Sequence, residues 1–288
     1  MGTVPSGVFR IRVSYDGRGF WGSQRQAGQR TVQEELEHAT ETIFGRPVPV
    51  YLAGRTDRGV HAAGQVASFA DFRSAFPVSK IVPAFNDHLG GDIAVLGALR
   101  EPVGFHARYS AVWRAYRYRI WCGVRQPLAN GIVWFNRDQL NLERMSRAAE
   151  NLIGEYDFSS FASGGEGVPW TTRGSTRGAV RRVFDCRVAP APAWWGAMPA
   201  DGELIEISIV ADGFLPRMVR GIAGTLVEVG REKLTVEDFR QLIEMRDRRK
   251  APKNAPPEGL VLWAIGYDEY SKSESEVQRY DAPRERFF

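Results

Sequence analysis

FRIRVSY, residues 9–15, alternates strictly between two kinds of side chain. Phe9, Ile11, Val13 and Tyr15 fall on one side; Arg10, Arg12 and Ser14 fall on the other. A period of two with one apolar face is the pattern of a half-buried strand, here with a basic outer face. The device recurs at RAYRYRIWC (114–122), where Tyr116, Tyr118 and Ile120 alternate with Arg117, Arg119 and Trp121. Each strand opens one half of the chain. In the first half, TVQEELEHATETIF (31–44) reads as a helix. Thr31 and Glu34 form a capping box, and Val32, Leu36, Ala39 and Ile43 make one apolar stripe. VPVYLA, GQVASFA (64–70), a helical stretch near 77–88 and DIAVLGAL complete that half. In the second half, LERMSRAAENLI (142–153) reads as a helix with Asn141 as its cap and Gly154 just past its end. RRVFDCRV and ELIEISIV read as strands, and FLPRMVRGIAGTLVEVG (214–230) as a helix burying Met218, Val219, Ile222 and Leu226. A short helix from Thr235 to about Met245 and a last strand, GLVLWAIGY, follow.

Two rough copies of strand, helix, strand predict an α+β fold of two similar α/β halves. Helices on one side would leave a sheet face able to carry basic side chains, and exposed sheets of this kind can serve as RNA platforms. The expected division is 1–104, 105–268 and a loose tail at 269–288, which lacks apolar periodicity. GGEGVPWTTRGSTRG (164–178) reads as a mobile polar loop, and APAPAWWGAMPADG as a second long connection.

Composition bounds the function. A chain of 288 residues buries enough surface to fold without a disulfide or metal. No apolar run approaches the length of a membrane span, and MGTVPSGVFRIRV lacks the basic-then-apolar pattern of a signal peptide. Cys122 and Cys186 sit far apart without metal-ligand spacing, so a reduced, cytoplasmic protein is expected. The net charge is only +4, but of 38 basic residues five are lysines and the rest arginines. Genome composition accounts for most of that bias; the guanidinium fork also suits phosphate. There is no Walker A sequence and no GxSxG, and the four histidines show no zinc spacing. No cofactor or metal is expected.

AGRTDRGVHA (53–62) places one acid, Asp57, among Arg55, Thr56, Arg58, two glycines and His61. A turn aspartate commonly bonds a nearby amide or balances charge. Alternatively, flanking arginines would keep a desolvated carboxylate ionised and able to act as nucleophile or base, while themselves holding phosphates. Tyr116 reads as core packing or as an aromatic that stacks a base beside a phosphate. Arg220, between Val219 and Ile222, would be partly buried and needs an anionic partner, either any carboxylate of the fold or Asp57.

AGRTDRGVHAAGQV resembles the G-R-T-D-x-G-V-H-A-x-G-Q-V signature of the tRNA pseudouridine synthase A family (TruA). YDGRGFWGSQRQ, FNDHLGGDI, FHARYSAVWRAYRYRI, EYDFSSF, FLPRMVRGIAGTLVEVG and APPEGLVL resemble further family motifs, in order, from about residue 9 to 267. The resemblance implies isomerisation of uridine to pseudouridine at positions 38 to 40 of the tRNA anticodon arm. It also implies a homodimer without metal or organic cofactor, and two α/β halves with mostly antiparallel strands joined into one sheet with a basic RNA-binding cleft. Asp57 matches the catalytic aspartate, Tyr116 the tyrosine that stacks on the target base, and Arg220 the arginine that pairs with the aspartate. Candidate RNA-binding residues from the same motifs are Gln24, Arg25, Arg55, Arg58, His61, Arg108, Arg114 and Arg217.

Four positions depart from the family pattern: Arg58 for an alanine, Ser23 for a tryptophan, Gly90 for a proline and Gly221 for an asparagine. None removes a catalytic side chain; they leave the target range more open than the activity. Asp57 could add to the base or the sugar, or abstract a sugar proton; the sequence does not choose. Two other readings stand against synthesis of pseudouridine. One is an RNA-binding or RNA-folding protein with little catalysis. The other is glycosidic hydrolysis, which usually needs a second carboxylate beside the first.

Overall fold

The computed structural model of the protein describes residues 6–72, 76–163 and 178–270. The chain divides into two compact units, Met1–Trp113 with Leu262–Phe288, and Arg114–Val261. The first unit contains β1 (Gly7–Tyr15), α1 (Val32–Phe44), β2 (Tyr51–Leu52), β3 (His61–Asp71), α2 (Ile81–Asn86) and β4 (Ile93–Glu101). The second contains β5 (Trp113–Gly123, from its second residue on), β6 (Trp134–Asn136), α3 (Leu142–Glu150), β7 (Gly154–Asp157), β8 (Val180–Ala191), β9 (Gly202–Ala211), α4 (Met218–Gly230) and α5 (Val236–Met245). The last strand, β10 (Leu260–Gly266), contributes Leu262–Gly266 to the first unit. The fold is α+β with mostly antiparallel strands.

In the first unit β1 lies between β4 and β3, and β2 pairs with β3. The alternation read from FRIRVSY is met residue by residue: Phe9, Ile11 and Val13 are wholly buried and Tyr15 nearly so. Phe9 sits opposite Phe69 in the register, their rings 5.4 Å apart. Phe44 of α1 and Phe85 of α2 close the same aromatic cluster against Phe69 at 5.8 and 5.5 Å. Each such ring removes enough apolar surface from water to contribute roughly 2–3 kcal/mol. On α1 the Thr31 hydroxyl accepts from the Glu34 N–H at 3.4 Å, and Gly45 ends the helix with φ 69°. Ile43 is only half-buried; Phe44 takes the inward place instead.

In the second unit the order is β5-β9-β8-β7, with the short β6 added parallel to β5. Tyr118 and Ile120 are wholly buried, and α3 packs on β8 and α4. Trp121 departs from the alternation expected of it. It is buried with Ala129, Val133 and Leu204, against Trp195 of the β8–β9 connection. That connection is shorter than its composition suggests, because β8 runs on through Pro190 and Ala191.

The arginine faces are not open. Arg10 pairs with Glu101 at 3.1 Å and lies over the rings of Phe105 and Tyr267. Arg117 and Arg119 both reach Glu206, and Arg119 stacks on Trp194. Long side chains on these strands pack their stems and bury part of their charge.

Three helix boundaries also shift. FLPR is not helical: Leu215 precedes a proline, which disfavours the helical region, and Arg217 caps α4 from the left-handed region at φ 60°. α3 ends at Glu150, so Gly154 opens β7 and does not cap the helix. The 77–88 stretch is a 3-10 turn at Val78–Lys80 followed by the six residues of α2. The loop expected at 164–178 lies, except for Gly178, outside the described residues, and the tail does so from 271 onward.

Candidate active site

Between β2 and β3 the chain turns through residues 53–60, and a set of buried polar groups holds that turn from several directions. The Tyr15 hydroxyl, at the end of β1, bonds the Thr56 hydroxyl at 2.8 Å. Gln65 of β3 clasps Gly54, accepting from its N–H at 3.1 Å and donating to its carbonyl at 2.7 Å. Ser23 clasps Thr56 in the same manner: its Oγ accepts from the Thr56 N–H at 2.8 Å and its own N–H donates to the Thr56 carbonyl at 3.0 Å. Ser23, Gln65 and Thr56 are all buried. The turn closes on itself where the Val60 N–H donates to the Asp57 carbonyl at 3.1 Å. A buried and satisfied polar network of this kind fixes one backbone geometry, because each alternative would strand a donor.

The turn presents three charged residues. Arg55 and Arg58 are exposed and Asp57 is half-buried between them. The Arg58 guanidinium lies 3.8 Å from the centre of the Trp21 ring, so the residue that departs from the family pattern has an aromatic seat. Ser23, another departure, fits its place for a different reason: its hydroxyl adds one side-chain bond to the turn, beside the backbone bond that any residue there could make.

His61 is buried and works inward. Its Nδ1 accepts from the Gly17 N–H at 3.2 Å and lies 3.3 Å from a carboxylate oxygen of Asp16. Gln24 and Arg25 are exposed; Arg25 pairs with Glu37 of α1 at 2.8 Å. Arg108 is exposed on the loop that follows β4. The bracing residues Tyr15, Ser23 and Gln65 are not legible as site residues in the sequence. Gln65 gives one usable signal, as a polar residue inside the apolar run GQVASFA.

Burial pushes the Tyr15 hydroxyl up to about 12, against smaller opposing effects of its bonds to Thr56, Gln65 and Ser23. A raised folded-state value means stability that is complete below the tyrosine's unfolded pKa and lost as pH rises through the folded one. Stability is therefore expected to fall between about pH 10 and 12, by roughly 2–3 kcal/mol from this residue. Urea midpoints measured across that window should fall less steeply in Tyr15→Phe than in the wild type.

In the second unit, Tyr116 of β5 is 7% exposed, opposite Ile209 of β9. The Phe214 ring meets it edge-on at 4.9 Å and 83°. Arg114 donates to the Asp212 carbonyl at 3.0 Å. Arg217 is exposed, and Arg220 is half-buried on the first turn of α4. The Arg220 Nε donates to the Ala255 carbonyl at 2.8 Å, while the Ala255 N–H donates back to the Arg220 carbonyl at 2.9 Å. Ala255 thus fixes the root of the guanidinium. Gly221 has a packing cause: a Cβ there would stand 2.3 Å from the Phe161 carbonyl oxygen, so the family's asparagine could not follow this backbone.

Comparison with known proteins names the class of this chain. A family profile described as tRNA pseudouridine synthase matches residues 11–110 and 148–268. The chain belongs to that family, which makes it an isomerase. Among relatives, a tRNA pseudouridine synthase A of Caldicellulosiruptor bescii is 38% identical over 89% of this chain and 98% of its own. One of Neisseria gonorrhoeae is 40% identical over 93% and 94%. One of Maricaulis maris is 38% identical over 90% and 97%. Among the described residues no helix is long and apolar enough to cross a membrane.

Proposed function

We propose that the protein converts uridine to pseudouridine at positions 38 to 40 of the tRNA anticodon arm, with Asp57 as the catalytic carboxylate. The observation that supports this most is the Asp57 turn itself: one carboxylate between two exposed arginines, on a backbone fixed by Tyr15, Ser23 and Gln65. The reaction breaks the N1–C1′ bond, turns the uracil over and forms a C5–C1′ bond. An enzyme must therefore take the base out of its stack, retain it after release and supply a carboxylate. Tyr116 holds the freed uracil. Arg220 is the arginine that pairs with Asp57 in this reading, as the resemblance implies. The protein works in the cytoplasm, as a homodimer, without metal or organic cofactor.

Arg55, Arg58 and Arg114 bind phosphates in this reading. Replacing any one by glutamine should weaken tRNA binding and flatten its salt dependence by about 0.7–0.9 in slope for each phosphate no longer neutralised. Filter binding over a range of salt concentrations reads this, and a slope unchanged in all three variants would count against the phosphate role. For the target positions, carbodiimide derivatisation followed by primer extension should give stops at 38 to 40. Stops confined to another arm would refute the anticodon-arm assignment while leaving the isomerase intact.

A further inference from the structure

The loop 106–110, HARYS, is held with unusual completeness for a segment that displays an exposed aromatic. His106 N–H donates to the Ser110 hydroxyl at 3.1 Å and Ala107 N–H to the Ser68 hydroxyl at 2.9 Å. Arg108 and Tyr109 N–H both donate to His106 Nδ1, at 3.1 and 3.4 Å, and Ser110 N–H donates to the His106 carbonyl at 2.9 Å. Tyr267 adds a bond to the carbonyl of the buried Ala107. Every backbone N–H of the loop has a partner, yet Tyr109 is 78% exposed. Its ring lies 4.4 Å from the His106 ring, which lies 4.8 Å from Tyr51 of β2, itself 49% exposed. The exposed Arg108 guanidinium reaches over the Tyr109 ring. The imidazole is neutral here, because Nδ1 accepts two bonds; burial, and next Arg108, lower its proton affinity.

We propose that Tyr51, His106 and Tyr109 form a second RNA-binding site, a stacking platform for an unpaired nucleobase of the tRNA, with Arg108 on the adjoining phosphate. The proposal rests on the tRNA reading above. A rigid loop that presents a tyrosine face to solvent gives sequence-tolerant stacking at little ordering cost. Charge favours nucleic acid as the occupant: the exposed Arg108 adjoins the Tyr109 ring, so a base on the tyrosine would bring its phosphate to a guanidinium. β2 leads directly into the Asp57 turn, so an anchored nucleotide here would be held on the element that positions that turn.

The test uses the full chain and unmodified tRNA. Tyr109→Ala should raise the Kd about tenfold, within the range for loss of one base–aromatic stack, with its thermal midpoint unchanged. Tyr109→Phe should bind as the wild type does. Irradiation of tRNA carrying 4-thiouridine should crosslink to the loop peptide in the wild type and lose that product in Tyr109→Ala. A Kd within twofold of wild type, or absence of the crosslink, would overturn the platform. So would a Tyr109→Ala protein of lower mass by sedimentation, since the surface would then join two copies of the chain. Asp57→Ala separates the two readings: if it keeps both the crosslink and full activity, the catalytic assignment fails and the platform stands.

Discussion

Asp57→Ala is expected to bind tRNA at least as tightly as the wild type and to convert almost none of it. Turnover should fall by at least roughly 10³-fold, because a carboxylate that acts at the reacting centre has no substitute in the turn. The neighbours cannot replace it: Arg55 and Arg58 are cations, and His61 faces Gly17 and Asp16. Binding moves the other way. Removing a negative charge from between two arginines reduces its repulsion of phosphate, so affinity holds or rises slightly. Single-turnover conversion, read as pseudouridine in nuclease digests, and filter binding on the same preparation give both quantities. Near-normal conversion by Asp57→Ala would remove the aspartate from the mechanism. Loss of binding in step with loss of conversion would point to a turn that had collapsed.

Gly17→Ala carries the largest structural effect. A Cβ at this position would stand 2.1 Å from the carbonyl oxygen of Val60 and 2.8 Å from its nitrogen. Both atoms are backbone, so no side chain can swing aside. Val60 also donates to the Asp57 carbonyl, and the Gly17 N–H holds His61. One methyl group would therefore press on the Asp57 turn and loosen its brace together. The expected cost is about 3 kcal/mol, at the upper end for overpacking because the obstacle is main chain. Thermal midpoint and single-turnover rate should fall together, whereas Asp57→Ala should lower only the rate. A Gly17→Ala protein with wild-type stability would show that the turn moves freely and that its bracing is not a positioning device.

What the sequence made legible follows from the range of the forces involved. Local patterns were readable: β1 and α1 are announced by period and cap, and both form over residues close to those expected. Asp57, Arg55 and Arg58 stood out because their types are odd for a turn. The bracing network was not readable, since Tyr15, Ser23 and Gln65 meet the turn across separations of up to tens of residues. β6 and β7, at three and four residues, are too short to show a period. Trp121 escaped its alternation because a distant partner, Trp195, gave it somewhere to pack. The arginine faces were readable as basic but not as covered; Glu101 and Glu206 lie on other strands. Gly221 looked like a simple departure from the family until the Phe161 backbone gave it a cause.

The most direct measurement uses tRNA whose uracils carry tritium at C5, incubated with the wild-type protein and with Asp57→Ala. Bond formation at C5 must expel that hydrogen to water, whereas binding alone leaves it in place. The account predicts tritium in water from the wild type, equal in amount to the pseudouridine formed, no free uracil, and no release from Asp57→Ala. Absence of release from every tRNA tried would contradict it in favour of an RNA-binding protein, and free uracil in place of pseudouridine would make the protein a hydrolase.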